Sequence, residues 1–288
     1  MAEPAAGGPP VSELAPGDPA PGGRAWPRQV AETVRNGRRL YRADSPVRVQ
    51  LTTAAPRAVL QGIFLVLAGR VIGGRAGEPY ALAGAAAFLA TSRTIVYVGD
   101  IVLTDRLSET YYRLQGGVLP PWLVCLLRLP PYIASGFISS LLALAVCGPL
   151  LGLSAQSARL LPLLPLYLLT ACTTAAFGLA VSALAVGRQT ADILLGNLAS
   201  FLILACSRVV APDAGAARWL ADAGTVLPVT HGLQAVRAQL AGQAWAGQAG
   251  LEAAVGAAWV VLAIVLLAVQ DRRARGGPAL PRPRRRAA

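Results

Sequence analysis

The stretch that decides the fold is RWLADAGTVLPVTHGLQAVRAQLAG, residues 218–242, which lies between two apolar segments. Apolar residues recur every three to four positions on both sides of Pro228, which is the spacing of amphipathic helices. Pro228 ends the first helix, and Thr230 is a candidate N-cap for the second. The pattern predicts two short, half-buried helices that enter one leaflet of a membrane and return.

The chain as a whole has the composition of a membrane protein. Of its 288 residues, 55% are hydrophobic and only 14% are charged, against roughly 25% charged residues in a soluble domain. Its mean hydropathy is +0.53. A soluble protein of this length would need more charge to cover its surface, so we expect most of the chain to lie in a bilayer.

Six apolar segments are long enough, or nearly so, to cross a bilayer, which takes roughly 20 apolar residues. They are residues 58–74, 79–102, 131–153, 160–186, 190–209 and 249–269. Because lipid cannot satisfy exposed backbone groups, these segments should be helices rather than strands. The predicted fold is an all-α integral membrane protein with six transmembrane helices, an N-terminal interfacial helix and short re-entrant outer helices between segments five and six.

The domain organisation follows from the composition of the two ends. Residues 1–25 are rich in Pro, Gly and Ala, which predicts a disordered tail without the apolar core of a signal peptide. The interfacial helix begins at Trp26 and carries a basic side that includes Arg38 and Arg39. The transmembrane domain is predicted to span residues 26–271, and residues 272–288 are predicted to form a basic cytoplasmic tail.

The positions of the arginines predict the orientation in the membrane. All 26 basic residues are arginine, and most of them precede the first segment, follow the sixth, or lie in the loops after the second and fourth. An even number of crossings puts both termini on this arginine-rich side, which is the cytoplasmic side by the positive-inside rule. Membrane lipid, rather than nucleic acid, is the partner expected for a basic tail beside a span.

The sequence offers few groups for catalysis or metal binding. The four cysteines are far apart, and the single histidine, His231, has no cysteine near it. We therefore expect no metal site, no cofactor and no catalytic residue, and we expect a hydrogen-bonding role for His231. The sequence has no lysine and hence no GxxxxGKS or GxxxxGKT phosphate-binding loop, so ATP would have to be bound by a separate protein.

Residues 197–242 resemble the C-terminal signature of the ABC transporter type-2 permeases, a family of bacterial exporters of drugs, lipids and polysaccharides. The matching residues are Asn197, Pro212, Trp219, Leu227, Pro228, Thr230, Arg237 and Gly242. The six-segment layout and the basic N-terminal helix are also similar, so the resemblance covers roughly residues 26–271.

The resemblance implies the membrane subunit of an ATP-driven exporter in the bacterial plasma membrane, such as a multidrug efflux system that confers antibiotic resistance. It also implies a homodimer or heterodimer of permeases and a separate ATP-binding subunit as partners. An apolar pathway lining, with Trp259 of the sixth segment as a candidate, suggests an amphiphilic or hydrophobic substrate.

In similar permeases the loop after the second span carries a coupling helix that docks on the ATP-binding subunit. The candidate docking residues in this chain are Asp105, Arg106, Glu109, Tyr112 and Arg113. Mixed charge beside aromatic anchors is typical of a protein interface. The Gly-Thr pair that is usual in the family is absent here, and the alternative interpretation is a solvated linker.

Six residues are candidates for the translocation pathway and its outer gate: Arg93, Asn197, Pro228, Thr230, His231 and Arg237. Arg93 lies well inside the second segment, where a buried arginine costs about 3 kcal/mol or more. If Arg93 faces the helix bundle, Asp100 would partly compensate its charge from two turns away. The alternative is a shifted helix in which Arg93 snorkels toward the interface.

Two other functions are compatible with a polytopic membrane protein. A secondary transporter driven by an ion gradient would need intramembrane carboxylates or internal repeats. Asp100 and Asp192 lie only near segment ends, and no repeat is visible. A membrane-embedded enzyme or sensor would need a converging polar cluster, for which His231 and Asp222 are poor candidates.

Overall fold

The structure is a computed structural model that describes residues 25–107, 119–185, 189–210 and 218–276. These residues form helices, and no strand occurs among them. Four helices are long and apolar enough to cross a membrane: Val47–Leu103, Pro121–Leu150, Ser154–Leu184 and Ala246–Arg273. The apolar helix Thr190–Cys206 is shorter. The prediction of an all-α, multi-pass membrane protein is therefore confirmed, while the count of six crossings stays a prediction.

Helix α1 runs from Ala25 to Asp44 and confirms the helix predicted for the N-terminal region. The residues predicted for its interfacial side, Trp26, Arg38 and Arg39, are all exposed. Tyr41 is buried and packs edge-to-face on Tyr132, with the ring centroids 5.0 Å apart. A Cβ on Gly37 would lie 2.9 Å from Cγ of Arg128, so this glycine lets α1 lie close against the chain before Tyr132.

Helix α2 comprises Ala55–Leu107 and folds back on itself at Gly74, where φ is 63° and ψ is −160°. A Cβ on Gly62 would lie 3.3 Å from Leu89, although these positions would be about 40 Å apart in a straight helix. The element is therefore a helical hairpin with a first arm, residues 55–73, and a second arm, residues 75–107. The two arms contain the first two predicted segments.

Most helices in the middle of the chain begin at or near prolines, which are tolerated in a first helical turn. Helix α3 is Pro121–Leu127 and helix α4 is Pro130–Leu142. A π-helical turn, Ala143–Cys147, and the short helix Gly148–Leu150 extend α4. Helix α5, Ser154–Leu160, leads through the 3-10 turn Leu161–Leu163 into helix α6, Leu164–Leu184. These elements lie where the third and fourth apolar segments were predicted.

The C-terminal part confirms the break predicted at Pro228. Helix α7 is Gln189–Cys206, helix α8 is Arg218–Val226, helix α9 is Thr230–Leu240 and helix α10 is Ala246–Gly276. Gly242, at φ 70°, ends α9 in the left-handed conformation that commonly terminates helices. We call residues 218–240, with α8, the turn at Pro228 and α9, the α8–α9 hairpin.

The centre of the bundle is α6, which packs against the second arm of α2, α4 and α10. Its buried residues are mostly Ala, Thr and other small side chains, and alanines fill the facing part of the second arm. A Cβ on Gly178 would lie 3.2 Å from Cα of Ile95. Because lipid provides little hydrophobic driving force between helices, such close backbone approach is what stabilises a membrane bundle.

Candidate functional site

A buried glutamate joins the α8–α9 hairpin to α10 and α6. Glu252, in the second turn of α10, is 0% exposed. Its Oε1 accepts hydrogen bonds from the N–H of Val229 at 2.8 Å and from the hydroxyl of Thr173 at 2.5 Å. Its Oε2 accepts from the N–H of Gly232 at 2.9 Å. Both oxygens act as acceptors, which is the pattern of an ionised carboxylate.

Glu252 caps the N-terminus of α9, and this corrects the prediction that Thr230 does so. The N-cap residue is Val229, and it makes no side-chain cap hydrogen bond. The hydroxyl of Thr230 lies instead 2.9 Å from that of Ser207. The first N–H groups of a helix need acceptors, and a negative charge there also faces the positive end of the helix dipole. A carboxylate from another helix meets both needs.

The backbone at Val229 is strained where Glu252 holds it. Val229 has φ 84°, a conformation that costs a β-branched residue about 1–3 kcal/mol. Its side chain is fully buried, and its N–H is bonded to the carboxylate. The turn between α8 and α9 therefore keeps this conformation because surrounding contacts, Glu252 among them, outweigh the strain.

Two glycines allow α9 and α10 to approach α6 closely enough for the carboxylate to reach its donors. A Cβ on Gly232 would lie 2.1 Å from Cγ2 of Thr170. A Cβ on Gly256 would lie 2.4 Å from Cγ2 of Thr173. A larger residue at either position would force these helices apart.

His231 makes hydrogen bonds at the same junction. Its Nδ1 lies 3.0 Å from Oε1 of Gln248, and its Nε2 lies 3.1 Å from the carbonyl oxygen of Thr225. The ring thus bridges α8, α9 and α10. No group of three or more His, Cys, Asp or Glu side chains that could hold a metal occurs in the described part of the chain.

Arg237 connects the other end of α9 to the chain that follows α7. Its Nη2 donates to the carbonyl oxygens of Arg208 at 3.1 Å and Val209 at 3.4 Å. Its guanidinium lies 3.5 Å from the ring centroid of Tyr80, whose hydroxyl also donates to Arg208. Arg208 has φ 48°. Arg237 therefore satisfies carbonyls at the end of α7 and joins α9 to the second arm of α2.

A polar cavity of about 710 Å³ lies beside the α8–α9 hairpin. Its lining includes Tyr80, Arg208, Asp222, Thr230, Gln234 and Arg237. Two of the predicted gate residues, Thr230 and Arg237, therefore line this cavity, while Pro228 is buried in the turn. Because the hairpin forms one wall, a movement of the hairpin would change the opening of the cavity.

Arg93 and Asn197 line a second cavity, about 210 Å³, between the two arms of α2, α4 and α7. The Nε of Arg93 donates to Oγ of Ser135 at 2.6 Å, and its guanidinium lies 5.1 Å from the ring centroid of Tyr97. No salt bridge joins the described side chains of Arg93 and Asp100, and the partial compensation by Asp100 stays a prediction. Two helical turns, about 10 Å, separate these residues along the helix axis, whereas Ser135 on α4 is within reach.

The remaining predicted residues fall at the ends of the bundle. Asp105 and Arg106 lie in the last turn of α2. Glu109, Tyr112 and Arg113 lie outside the described residues. Trp259 packs edge-to-face on Phe177, with centroids 4.6 Å apart, and donates to the carbonyl oxygen of Val226 at 3.0 Å. Its contacts are therefore those of a packing residue between α10, α6 and α8.

Glu252 is the site residue that the sequence reasoning missed. One signal for it was available, because it is a carboxylate inside the apolar segment 249–269. An ionisable residue in such a segment is a functional candidate by default. Its partners, however, lie 23 and 20 residues away at the start of α9 and 79 residues away on α6, and no local spacing indicates them.

These contacts define a polytopic α-helical membrane protein whose last long helix holds a helical hairpin through a buried carboxylate. Comparison with protein families gives a match to the family described as ABC-2 type transporter over residues 41–240. The match covers more than half of the chain, and the chain belongs to this family. It is thus a membrane subunit of the ABC-transporter type, a class that is generally non-catalytic and typically pairs with an ATP-binding subunit. Comparisons with curated proteins and with solved structures gave no match.

Proposed function

We propose that the chain is the permease subunit of an ATP-driven exporter, in which two permeases enclose the translocation path and separate ATP-binding subunits supply the energy. The observation that carries the proposal is the family match, which runs from the end of α1 through α9. The second permease is another copy of this chain or a paralogue. The substrate is an amphiphilic or hydrophobic molecule, and the complex works in the bacterial plasma membrane.

The proposed topology has six crossings, with both termini in the cytoplasm. The crossings are the two arms of α2, α4 with its extension, α6, α7 and α10. The reversal at Gly74 supports two crossings within α2, and α7, with 18 residues, is about 27 Å long, close to the thickness of the hydrocarbon core. The α8–α9 hairpin then lies on the outer face as a re-entrant pair of helices.

Energy enters at the cytoplasmic end, through the loop at residues 103–129 and α1. This loop contains α3, and α1 rests on the same region through Gly37 against Arg128 and Tyr41 against Tyr132. Helix α10 also packs on α3. Closure of the ATP-binding subunits would press on this assembly and favour one of two arrangements of the bundle.

The α8–α9 hairpin at the outer end of the bundle responds to closure of the ATP-binding subunits because α10 extends from α3 to this hairpin. Glu252 near the start of α10 is bonded to the first N–H groups of α9. A shift of α10 therefore either carries α9 along or breaks these bonds. The residues Arg93, Asn197, Pro228, Thr230, His231 and Arg237 are the proposed pathway and gate residues of this mechanism.

Pull-down with the tagged chain, followed by reconstitution with a P-loop ATPase that it captures, tests the proposal. The tagged chain should co-purify with the ATPase and should raise its rate of ATP hydrolysis in proteoliposomes. Glu109→Arg should reduce both effects, whereas the matched variant Glu78→Arg, at the Arg70 end of the α2 hairpin, should reduce neither. Transport by the chain alone that stops when an uncoupler is added would contradict the proposal and favour a secondary transporter.

Reporter fusions test the topology independently of any substrate. A reporter at either terminus should be active in the cytoplasm, and one inserted at Asp222 should be active outside. External signals from both termini, or a cytoplasmic signal at Asp222, would contradict the assignment of the two faces.

A further inference from the structure

We propose that the 210 Å³ cavity beside Arg93 binds the anionic headgroup of an amphiphile. The proposal rests on the export function proposed above and names its substrate class. Its basis is the charge of the cavity, which is lined by two arginines, Arg57 and Arg93, and by no carboxylate among the described residues. A positive cavity between apolar helices favours an anionic partner, since charge in a low-dielectric site is expensive unless it is paired.

Arg93 presents donors to this cavity. Its Nε is bonded to Ser135, but its two terminal nitrogens have no hydrogen-bond partner among the described residues, and they are not buried. The bond to Ser135 and the contact with the Tyr97 ring hold the guanidinium in place. A guanidinium fixed in this way is preorganised for two parallel hydrogen bonds to a phosphate or a carboxylate.

The rest of the lining suits the headgroup of an amphiphile rather than a fully polar ligand. The other polar residues are neutral, and they include Gln61 and Asn197. Phe201 and Val96 also line the cavity and are 65% and 44% exposed. The volume equals that of roughly seven water molecules in the liquid, so it admits a headgroup, and an acyl chain would lie outside along the exposed apolar side chains.

The cavity lies at the end of the α2 hairpin that is remote from Gly74. Arg57 is in the first turn of α2, and Arg93 is about 28 Å along the second arm from Gly74. In the proposed topology this end is the cytoplasmic half of the bilayer. The cavity therefore accepts an amphiphile from the inner leaflet, which is the side from which an exporter must take its substrate.

Photolabelling of the full-length chain in phosphatidylcholine nanodiscs tests the proposal. The probes are trace amounts of phosphatidylglycerol or phosphatidylcholine, each with a diazirine beside the glycerol. After crosslinking, mass spectrometry measures the label on peptides that cover residues 53–61 and 88–97. Phosphatidylglycerol should label these peptides more strongly, and Arg93→Gln and Arg57→Gln should each lower the ratio of the two labels about five-fold. Arg93→Lys should lower the ratio less than Arg93→Gln does, because lysine keeps the positive charge but loses the forked pair of donors. Arg75→Gln, an exposed arginine next to Gly74, is the matched control and should not change it.

The outcomes separate this proposal from the export function, because the assay needs neither an ATPase nor transport. Equal labelling by the two lipids would overturn it, as would a ratio that is unchanged in Arg93→Gln and Arg57→Gln. If Arg93→Gln does not fold, Arg57→Gln decides alone, since its side chain is exposed. Excess inorganic phosphate should not displace the label. Displacement would show that the cavity binds a soluble anion, and it would contradict the proposal that the ligand is an amphiphile.

Discussion

Replacement of Glu252 by glutamine tests whether this carboxylate holds the α8–α9 hairpin in place. Glutamine has nearly the same size and keeps one carbonyl oxygen, but its NH2 group is a donor. The N–H of either Val229 or Gly232 would then face another donor in a site that is 0% exposed. The variant therefore removes an acceptor without creating a cavity.

The expected loss of free energy that stabilises the start of α9 follows from the number of donors left without an acceptor. Loss of one hydrogen bond to a charged group costs about 1.5–3 kcal/mol. Glu252→Ala orphans both N–H groups and leaves a cavity, so we expect about 4–6 kcal/mol for that variant. The strain at Val229, about 1–3 kcal/mol, acts in the same direction, because it is released when the turn opens. Since 1.4 kcal/mol is a factor of ten, the glutamine variant should open the start of α9 about 10- to 150-fold more often.

Hydrogen–deuterium exchange of the chain in nanodiscs measures this opening directly. Peptides that cover α9 should exchange faster in Glu252→Gln and faster again in Glu252→Ala, because exchange reports local opening. Glu32→Gln, which makes the same change at an exposed position of α1, is the matched control and should leave the exchange of α9 unchanged. Unchanged exchange in both Glu252 variants would refute the role of the carboxylate. Faster exchange with normal stimulation of the ATPase would refute the coupling through α10.

Three further substitutions test the contacts around the hairpin and α1. Gly232→Ala should destabilise the fold by about 1–3 kcal/mol because the new methyl group meets Thr170. The control Gly250→Ala, at an open position of α10, should leave the thermal unfolding midpoint unchanged. Equal midpoints for the two variants would contradict the close packing at Gly232. Arg237→Lys should speed amide exchange at the end of α7, since lysine cannot reproduce the stacked, forked contact, and unchanged exchange would argue against a capping role. Gly37→Val should loosen α1 and increase its cleavage by added protease, and an unchanged cleavage rate would show that the close approach is not needed.

Local causes explain which parts of the fold could be predicted from the sequence. Helix α1 and the break at Pro228 depend on periodicity and on proline, and both are found where they were predicted. The helices of the apolar segments were predicted because lipid leaves the backbone no alternative. The tight reversal at Gly74 fits the short first segment, whose end was placed at residue 74.

Side-chain partners could not be predicted in the same way, because they depend on which helices become neighbours. For Arg93 the sequence suggests only Asp100 on the same helix as a partner, whereas the hydrogen-bond partner in the structure is Ser135 on α4. Thr230 has the residue type and the position of an N-cap, yet its hydroxyl contacts Ser207. In both cases a residue from another helix replaces the nearest candidate in sequence.

The cap of α9 is Glu252 on α10 and not Thr230 within the hairpin, and this difference has a mechanical consequence. A cap within the hairpin would stabilise α9 wherever α10 happened to lie, because the hydrogen bonds would move with the hairpin. A cap supplied by α10 makes the start of α9 stable only when α10 is in register with it, since the orphaned N–H groups would otherwise be buried at a cost of about 1–3 kcal/mol each. The strained φ of Val229 sharpens this dependence. In the proposed exporter, a shift of α10, which reaches from α3 to this junction, would therefore release the start of α9, whereas an internally capped hairpin would not respond to that shift.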